Sequence, residues 1–488
     1  MSRSMLVAKN IATTVVAQIV SWVLQLSVVF FLPHYAGVIG LGKITLAGSF
    51  AAIFGIFSSL GTSTVLMRDI PRDVTRTGKL IIASLLARIP LAIVSVWLAL
   101  FVATDFGYGK QLVLFVGIGM VGVVTGVISD TISSGARGLQ NFMIANVGSV
   151  IDKLIYSGLT VLVCIERLPL WLIVAAPVIS SFFSSLYMLK GISGFVVHWQ
   201  MPDVKEVKSL LIAGLPFISA GIFVAVYAKS DALFLSRLST LQSIGWYGLA
   251  FRISGTAMAL PTTVCSAMLP ALSSMYRENR EGFAGGVARL INLMIICCIP
   301  IAAVMIFCPR PLIQLFSHNT TSFLPAANVV RIYGIAVMLW FVSQATFTGI
   351  IACDQQKIIA GSMGIGALIS VPMTAACVYA GQHVLHNGAI GAASSDLLVE
   401  VFLLVCYLKA LPVGSVSFSM LGVLVRGLAA AVPLIVLLYL LPSSFILIAS
   451  IPCIALYAFL CFTFKCLQPT DMELFGRLIG GKFGFSKA

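Results

Sequence analysis

Eleven ionisable side chains stand inside or at the edge of long apolar runs: Arg88, Lys153, Lys229, Arg252, Arg331 and Arg426, with Asp130, Asp152, Asp231, Asp396 and Glu400. A charge at the centre of a membrane helix costs about 2.5–3.5 kcal/mol on insertion scales, so such residues face a wet cavity or a partner. Their number predicts a polar interior. Arg331 and Arg426 lie near a predicted membrane edge, where long side chains snorkel to the interface. Lys153 stands beside Asp152 as a candidate ion pair, although adjacent positions on a helix point in different directions. Lys229, Asp231 and Arg252 crowd the start of the second half of the chain. Tyr227 and Asp231 share one helical face at a spacing of four, as do Asp396 and Glu400.

Other chemistry is absent from the sequence pattern. The eleven cysteines fall in or beside apolar runs without metal-ligand spacing, as small buried hydrophobes do. The five histidines, His34, His198, His318, His383 and His386, are expected in loops. No phosphate-binding loop, dinucleotide fingerprint, zinc-protease helix or nucleophile elbow occurs, so neither a cofactor nor a metal is expected. Energy for any cycle must then come from an ion gradient. Asp231, Asp130, Asp396 and Glu400 are the candidates to bind a proton or Na⁺, since two carboxylates held close raise each other's pKa. Salt bridges to Lys and Arg on facing helices are the competing use for each of them.

The elements that must carry these residues are membrane helices. Of the 488 residues 59% are hydrophobic and 9% charged, with a mean hydropathy of +1.07. About fourteen runs between Ile11 and Phe464 are long enough to cross a hydrocarbon core as helix, and only helices or closed barrels satisfy the backbone there. The fold class expected is an all-α polytopic membrane protein. The first run, Ile11 to Leu32, is too long for a signal peptide and should be retained. The second is expected over Ile44 to Met67 and the eighth over Trp246 to Leu269.

A net charge of +14 would suggest nucleic acid in a soluble protein. In a membrane protein the placement of Lys and Arg matters more. With the N-terminus inside, nineteen of the thirty fall on one side, among them Arg68, Arg72, Arg76, Lys79, Lys205 and Lys208. Five fall on the other: Lys43, Lys110, Arg167, Arg237 and Arg310. The asymmetry places both termini in the cytoplasm, and no nucleic-acid partner is expected.

The chain also repeats itself. Val38-Ile-Gly-Leu-Gly42-Lys-Ile-Thr-Leu46-Ala47-Gly-Ser-Phe50 aligns without gaps on Leu241-Gln-Ser-Ile-Gly245-Trp-Tyr-Gly-Leu249-Ala250-Phe-Arg-Ile253. Gly42 meets Gly245, Leu46 meets Leu249 and Ala47 meets Ala250. Two six-helix lobes, residues 1–200 and 201–410, followed by two helices and a tail over 411–488, fit the count. Such parallel repeats place a central site between halves. Glycines along the fourth and eleventh spans permit close helix packing, and in-span prolines such as Pro90, Pro177 and Pro372 bend helices.

Several further stretches stand out: Tyr35 to Phe50, Leu60-Gly-Thr-Ser-Thr-Val-Leu-Met-Arg68-Asp69, Gly214-Leu-Pro216-Phe, Tyr227-Ala-Lys-Ser-Asp231, Gly245-Trp-Tyr-Gly-Leu-Ala-Phe-Arg252, Met268-Leu-Pro270-Ala-Leu-Ser273 and Gly388 to Ser394. They resemble the Wzx-type polysaccharide flippases of the multidrug/oligosaccharidyl-lipid/polysaccharide (MOP) exporter superfamily. The resemblance implies a V-shaped pair of lobes around a central cavity in the bacterial inner membrane. It also implies transfer of undecaprenyl-diphosphate-linked oligosaccharide for O-antigen, capsule or exopolysaccharide synthesis, beside membrane lipids and polymerase or chain-length partners. Arg88, Lys153, Lys229 and Arg252 would then offset the diphosphate charge in a low-dielectric cavity, while Ser230, Tyr227 and Asn146 bond sugar hydroxyls. A multidrug or metabolite cation antiporter and a peptidoglycan-precursor flippase of the same superfamily are the alternatives. A membrane enzyme would need a large external loop, and the longest, Pro309 to Pro325, offers only Arg310 and His318.

Overall fold

The computed structural model describes residues 3–464 apart from 60, 197, 279, 319–320, 413, 416–418 and 441–445; within helices, the side chains of 3–12, 215–228, 446–451 and a few single positions are not described. Sixteen α-helices and four short 3-10 turns organise the described residues. The first six are α1 (Arg3–Gly55), α2 (Thr62–Asp69), α3 (Thr77–Asp105), α4 (Lys110–Gly138), α5 (Phe142–Ile165) and α6 (Trp171–Ser193). The next five are α7 (Val204–Leu238), α8 (Leu241–Ala257), α9 (Ala259–Glu278), α10 (Arg280–Phe307) and α11 (Pro309–Ser317). The last five are α12 (Ala326–Ala352), α13 (Gln356–Leu385), α14 (Gly388–Ala410), α15 (Ser419–Leu440) and α16 (Ile446–Thr463).

Among the described residues, eleven helical stretches are long and apolar enough to cross a membrane. Their outward faces are bare hydrocarbon: Trp97, Phe101 and Leu368 are 73%, 67% and 72% exposed. Water does not tolerate so much contiguous apolar surface on a folded monomer, whereas lipid solvates it. The chain is a multi-pass all-α membrane protein.

Three expectations need correction. One 46-residue stretch, Thr13–Ser58, holds the first predicted span and the start of the second. Within α1 a single residue, Gly37, leaves helical geometry (φ 61°, ψ −179°), four positions after Pro33; glycine alone takes that conformation without a Cβ penalty. The second span stops at Gly55 and does not run on to Met67. Ser58 and Ser59 donate back to the carbonyls of Gly55 and Ile56, and Gly61 turns left-handed before α2 begins. The eighth predicted span, Trp246 to Leu269, lies within one 38-residue stretch, Leu241–Glu278, whose helix is interrupted at a single residue, Met258, between α8 and α9. Pro261 has no N–H to offer the Ala257 carbonyl four residues back, so the helix is interrupted there. Third, His34 and His383 lie within α1 and α13 and not in loops.

The aligned repeat segments both open a helix after a break, one following Gly37 and the other following the extended residue Ser239. They also touch. A Cβ built on Gly42 would meet the Leu241 carbonyl oxygen at 2.3 Å, and one on Gly245 would meet the Val38 carbonyl oxygen at 2.1 Å. Leu46, Ala47, Phe50, Leu249 and Ala250 are fully buried. Two glycines at equivalent positions thus let the two copies of the motif pack backbone to backbone.

Polar contacts join residues at or near helix ends. Lys43 donates to Gln111 at 2.7 Å and Arg237 donates to the Phe106 carbonyl at 3.2 Å. At another end Arg76 and Lys79 meet Glu206. Two compact units emerge. The first comprises Met1–Thr256, Phe316–Ala326 and Met363–Asp396, with α4 against α3 and α6, and α5 against α1 and α6. The second comprises Ala257–Leu315, Ala327–Ser362 and Leu397–Ala488. There α10 packs on α9 and α15, and Tyr457 donates to the Ile296 carbonyl at 2.8 Å.

Candidate substrate and coupling site

The cations expected to line a cavity fall into two groups. Arg88 on α3 is only 3% exposed along its side chain, and its guanidinium is engaged by protein on every nitrogen. Nε donates to the Ser58 carbonyl at 3.0 Å, one terminal nitrogen to Thr131 Oγ1 at 2.9 Å and Ser63 Oγ at 3.3 Å, and the other pairs with Asp130 at 2.8 Å. Asp130 also accepts from Ser63. The planar fork of arginine suits such simultaneous bonding. It fastens α3 and α4 to the turn before α2, leaving Asp130 half exposed on α4.

Lys153 on α5 is paired as well, with its neighbour Asp152 at 3.4 Å, and Asp152 accepts from Ser180 of α6 at 2.8 Å. Asn146 is buried and donates to Thr14 of α1 at 2.9 Å, so its amide already has a partner.

The second group lies where α7, α8, α13 and α14 supply polar atoms within the first unit. Lys229 on α7 places its ammonium 4.4 Å from the centre of the Phe251 ring on α8. Phe251 in turn stacks on Tyr247 at 5.7 Å. Among the described residues neither Lys229 nor Arg252 has a carboxylate within ion-pairing distance, although Arg252, Asp231 and Asp396 all act electrostatically on Lys229. A ring face attracts a cation but leaves its charge uncancelled.

Two residues along α7 from Lys229, Asp231 is 1% exposed. One carboxylate oxygen accepts from the Tyr247 hydroxyl at 2.9 Å, the other from Thr374 of α13 at 3.3 Å. Thr374 also shares a hydrogen bond with Ser395 of α14 at 2.9 Å. The buried Ser230 hydroxyl has no hydrogen-bond partner among the described residues. The cluster gathers one carboxylate and several hydroxyl oxygens in a dry setting, the donor type that hard cations take. Asp396 and Glu400 are buried one turn apart on α14.

The structure therefore brings Lys229, Asp231, Arg252 and Asp396 together and keeps Arg88 with Asp130 and Lys153 with Asp152. Tyr227, read as a companion of Asp231, has its side chain outside the described residues. Sequence reasoning missed Tyr247, Phe251, Thr374 and Ser395. The spacing of four between Tyr247 and Phe251 signals a shared helix face, but hydroxyls on α13 and α14 are too common to single out.

The described residues thus combine many membrane-length helices with a dry carboxylate and two cations that no described carboxylate pairs. The structure is similar to the lipid II flippase MurJ in an inward closed conformation, with a TM-score of 0.70 over 97% of this chain and 99% of that one at 14% identity. It is also similar to a multidrug resistance MATE family transporter of the MOP superfamily, inward-facing, with a TM-score of 0.59 over 82% and 93% at 16% identity. A MOP superfamily transporter from Pyrococcus furiosus gives 0.57 over 82% and 94% at 14% identity. No curated protein matches the sequence. The chain belongs to the polysaccharide biosynthesis protein family, whose model matches residues 7–276, and a MatE model matches residues 216–376. Its fold is the one that the MurJ flippase and the MATE and MOP superfamily transporters have.

Proposed function

We propose that the protein is a flippase that moves undecaprenyl-diphosphate-linked oligosaccharide from the cytoplasmic to the periplasmic leaflet of the bacterial inner membrane, with both termini in the cytoplasm. The observation that carries this reading is the contrast between the two groups of cations. Arg88 and Lys153 are paired with carboxylates, whereas Lys229 and Arg252 stand within membrane helices with no carboxylate in reach among the described residues. At about 2.5–3.5 kcal/mol each, two unpaired cations are a standing cost that an anionic ligand offsets. A diphosphate leaving water needs that compensation, and charge-assisted bonds to Lys and Arg supply it. The lipid tail stays in the bilayer while the saccharide crosses between the expected lobes at residues 1–200 and 201–410.

Coupling falls to Asp231. Its Tyr247, Thr374 and Ser395 neighbours suit Na⁺, and a proton is the other ion that the carboxylate could carry. Either ion loads the same oxygens, so uptake and release at Asp231 bias the alternation between two states.

The test is deletion of the gene in its host, with lipid-linked saccharides extracted and surface polysaccharide resolved beside complementation by Lys229→Gln, Arg252→Gln and Asp231→Asn. Loss of surface polymer with accumulation of the undecaprenyl-linked repeat, unrescued by these variants at normal protein level, is expected. Unchanged polymer with altered sensitivity to small organic cations would sink the saccharide reading in favour of a drug antiporter. Arrest of wall synthesis would favour the peptidoglycan-precursor alternative.

A further inference from the structure

A cavity of about 410 Å³ opens where the turn from α2 to α3 meets the first turns of α7. Its rim is charged: Arg68, Arg72, Arg76 and Lys79 face Asp69, Asp73 and Glu206. Its floor is apolar, formed by the cluster of Val65, Ala83 and Leu210. The carboxylates are shared. Asp69 holds Arg68 at 2.7 Å and Arg72 at 3.6 Å, while Glu206 holds Arg76 at 3.0 Å and Lys79 at 2.9 Å. Asp73 is occupied by the backbone and hydroxyl of Thr75.

Two carboxylates thus serve four cations, and the cations keep capacity. Each guanidinium has five N–H donors; on these three arginines only three hydrogen bonds to protein are made among the described residues. Arg72 makes none, since 3.6 Å exceeds hydrogen-bond reach, and its side chain is 72% exposed. The cavity sits beside the first turns of α3 and α7, where α3 opens a stretch, Val74–Asp105, long and apolar enough to cross a membrane. Its size suits a headgroup.

We infer that this cavity is a lipid-phosphate site at the membrane edge, in which Arg72 and Arg76 bond phosphate oxygens and the Val65–Leu210 floor takes the first carbons of the lipid. The phosphate comes from an anionic phospholipid or from a polyprenyl diphosphate, and the chemistry is shared. The site is separate from Lys229 and Arg252 and its test does not depend on transport.

The experiment measures binding to the full chain in nanodiscs and in micelles, with three probes: phosphatidylglycerol, phosphatidylcholine and farnesyl diphosphate. At least one phosphate-bearing anion should bind more tightly than phosphatidylcholine, and Arg72→Glu should weaken it about tenfold or more, the loss of a charge-assisted bond. Arg72 makes no hydrogen bond to protein among the described residues, so its replacement leaves the fold intact, and Arg72→Gln should give a smaller loss. The Arg72 comparison is made in the Lys229→Gln background, so that the diphosphate site proposed above does not contribute to the binding read. Preference for phosphatidylglycerol identifies a membrane lipid as the source, and preference for farnesyl diphosphate identifies the carrier. Binding no tighter than that of phosphatidylcholine, or anion binding in the Lys229→Gln background that survives Arg72→Glu, would overturn the assignment.

Discussion

Replacing Gly245 by alanine adds one carbon where the Val38 carbonyl oxygen would stand 2.1 Å away, with the Val38 carbonyl carbon and Cγ1 at 2.9 Å. Since Cβ contacts under 3.0 Å essentially do not occur, α1 and α8 must part by about 0.9 Å. Overpacking costs about 1–3 kcal/mol. Here the obstacle is helix backbone, which cannot rotate aside as a side chain would, so the upper part of that range applies. Alanine's better helix propensity offsets about 0.5–1 kcal/mol. The expected net loss is about 1–2 kcal/mol. Gly255 lies on the same helix, and a Cβ added to it would have nothing within 4 Å, so it serves as the control; alanine there should stabilise by about 0.5–1 kcal/mol. Unfolding of purified variants in mixed micelles, titrated with denaturing detergent, reads the difference directly. Gly42→Ala, opposed by the Leu241 carbonyl at 2.3 Å, should behave like Gly245→Ala. Equal stability of Gly245→Ala and Gly255→Ala would refute the claim that the repeated motifs pack through these glycines.

Arg88→Lys keeps a charge but cannot reach Ser58, Thr131 and Asp130 together; a loss of about 1–3 kcal/mol in stability is expected from the abandoned partners, read as a lower melting midpoint with unchanged substrate preference in the population that folds. Asp231→Asn should abolish any dependence of transport on Na⁺ or pH in proteoliposomes while leaving the melting midpoint near wild type; retention of ion dependence would remove Asp231 from coupling. Hydrogen bonds from Lys79 and then from the Asp203 backbone hold the Glu206 carboxyl below its ordinary range. A depressed folded-state value means that its contribution is complete above the ordinary glutamate range and is lost as pH falls through the lowered one. Hydrogen-exchange protection over 74–80 and 203–210, corrected for the intrinsic pH dependence of exchange, should therefore stay high at neutral pH and fall only on strong acidification, and Glu206→Gln should show the lowered protection already at neutral pH and converge with the wild type in acid.

The membrane class and the helices were legible because hydropathy acts over twenty residues at a time. Gly55 to Gly61 escaped that reading: the apolar run continues straight across a left-handed glycine, and an average over residues does not register a dihedral angle. The same holds for Pro261, whose missing N–H matters only at the Ala257 carbonyl. In the candidate site, Lys229, Asp231 and Arg252 stood out as charges in an apolar setting. Which cation has a partner did not, since Arg88 finds Asp130 forty-two positions away through the packing of α3 on α4. Thr374 and Ser395 meet Asp231 only because α13 and α14 fold back beside α7.

The single break in α1 has a mechanical consequence. From Thr13 to Ala36 the helix is a rod of about 36 Å at 1.5 Å per residue, and it joins the next rod through the two dihedrals of Gly37. Downstream, Val38 to Phe50 is clamped by the close approach of Gly245. A lever on a fixed pivot converts small angles into large travel, so a turn of about 10° at Gly37 would carry the far end about 6 Å. Pro33 lowers the stiffness near that pivot, because the Val29 carbonyl has no N–H to receive from it.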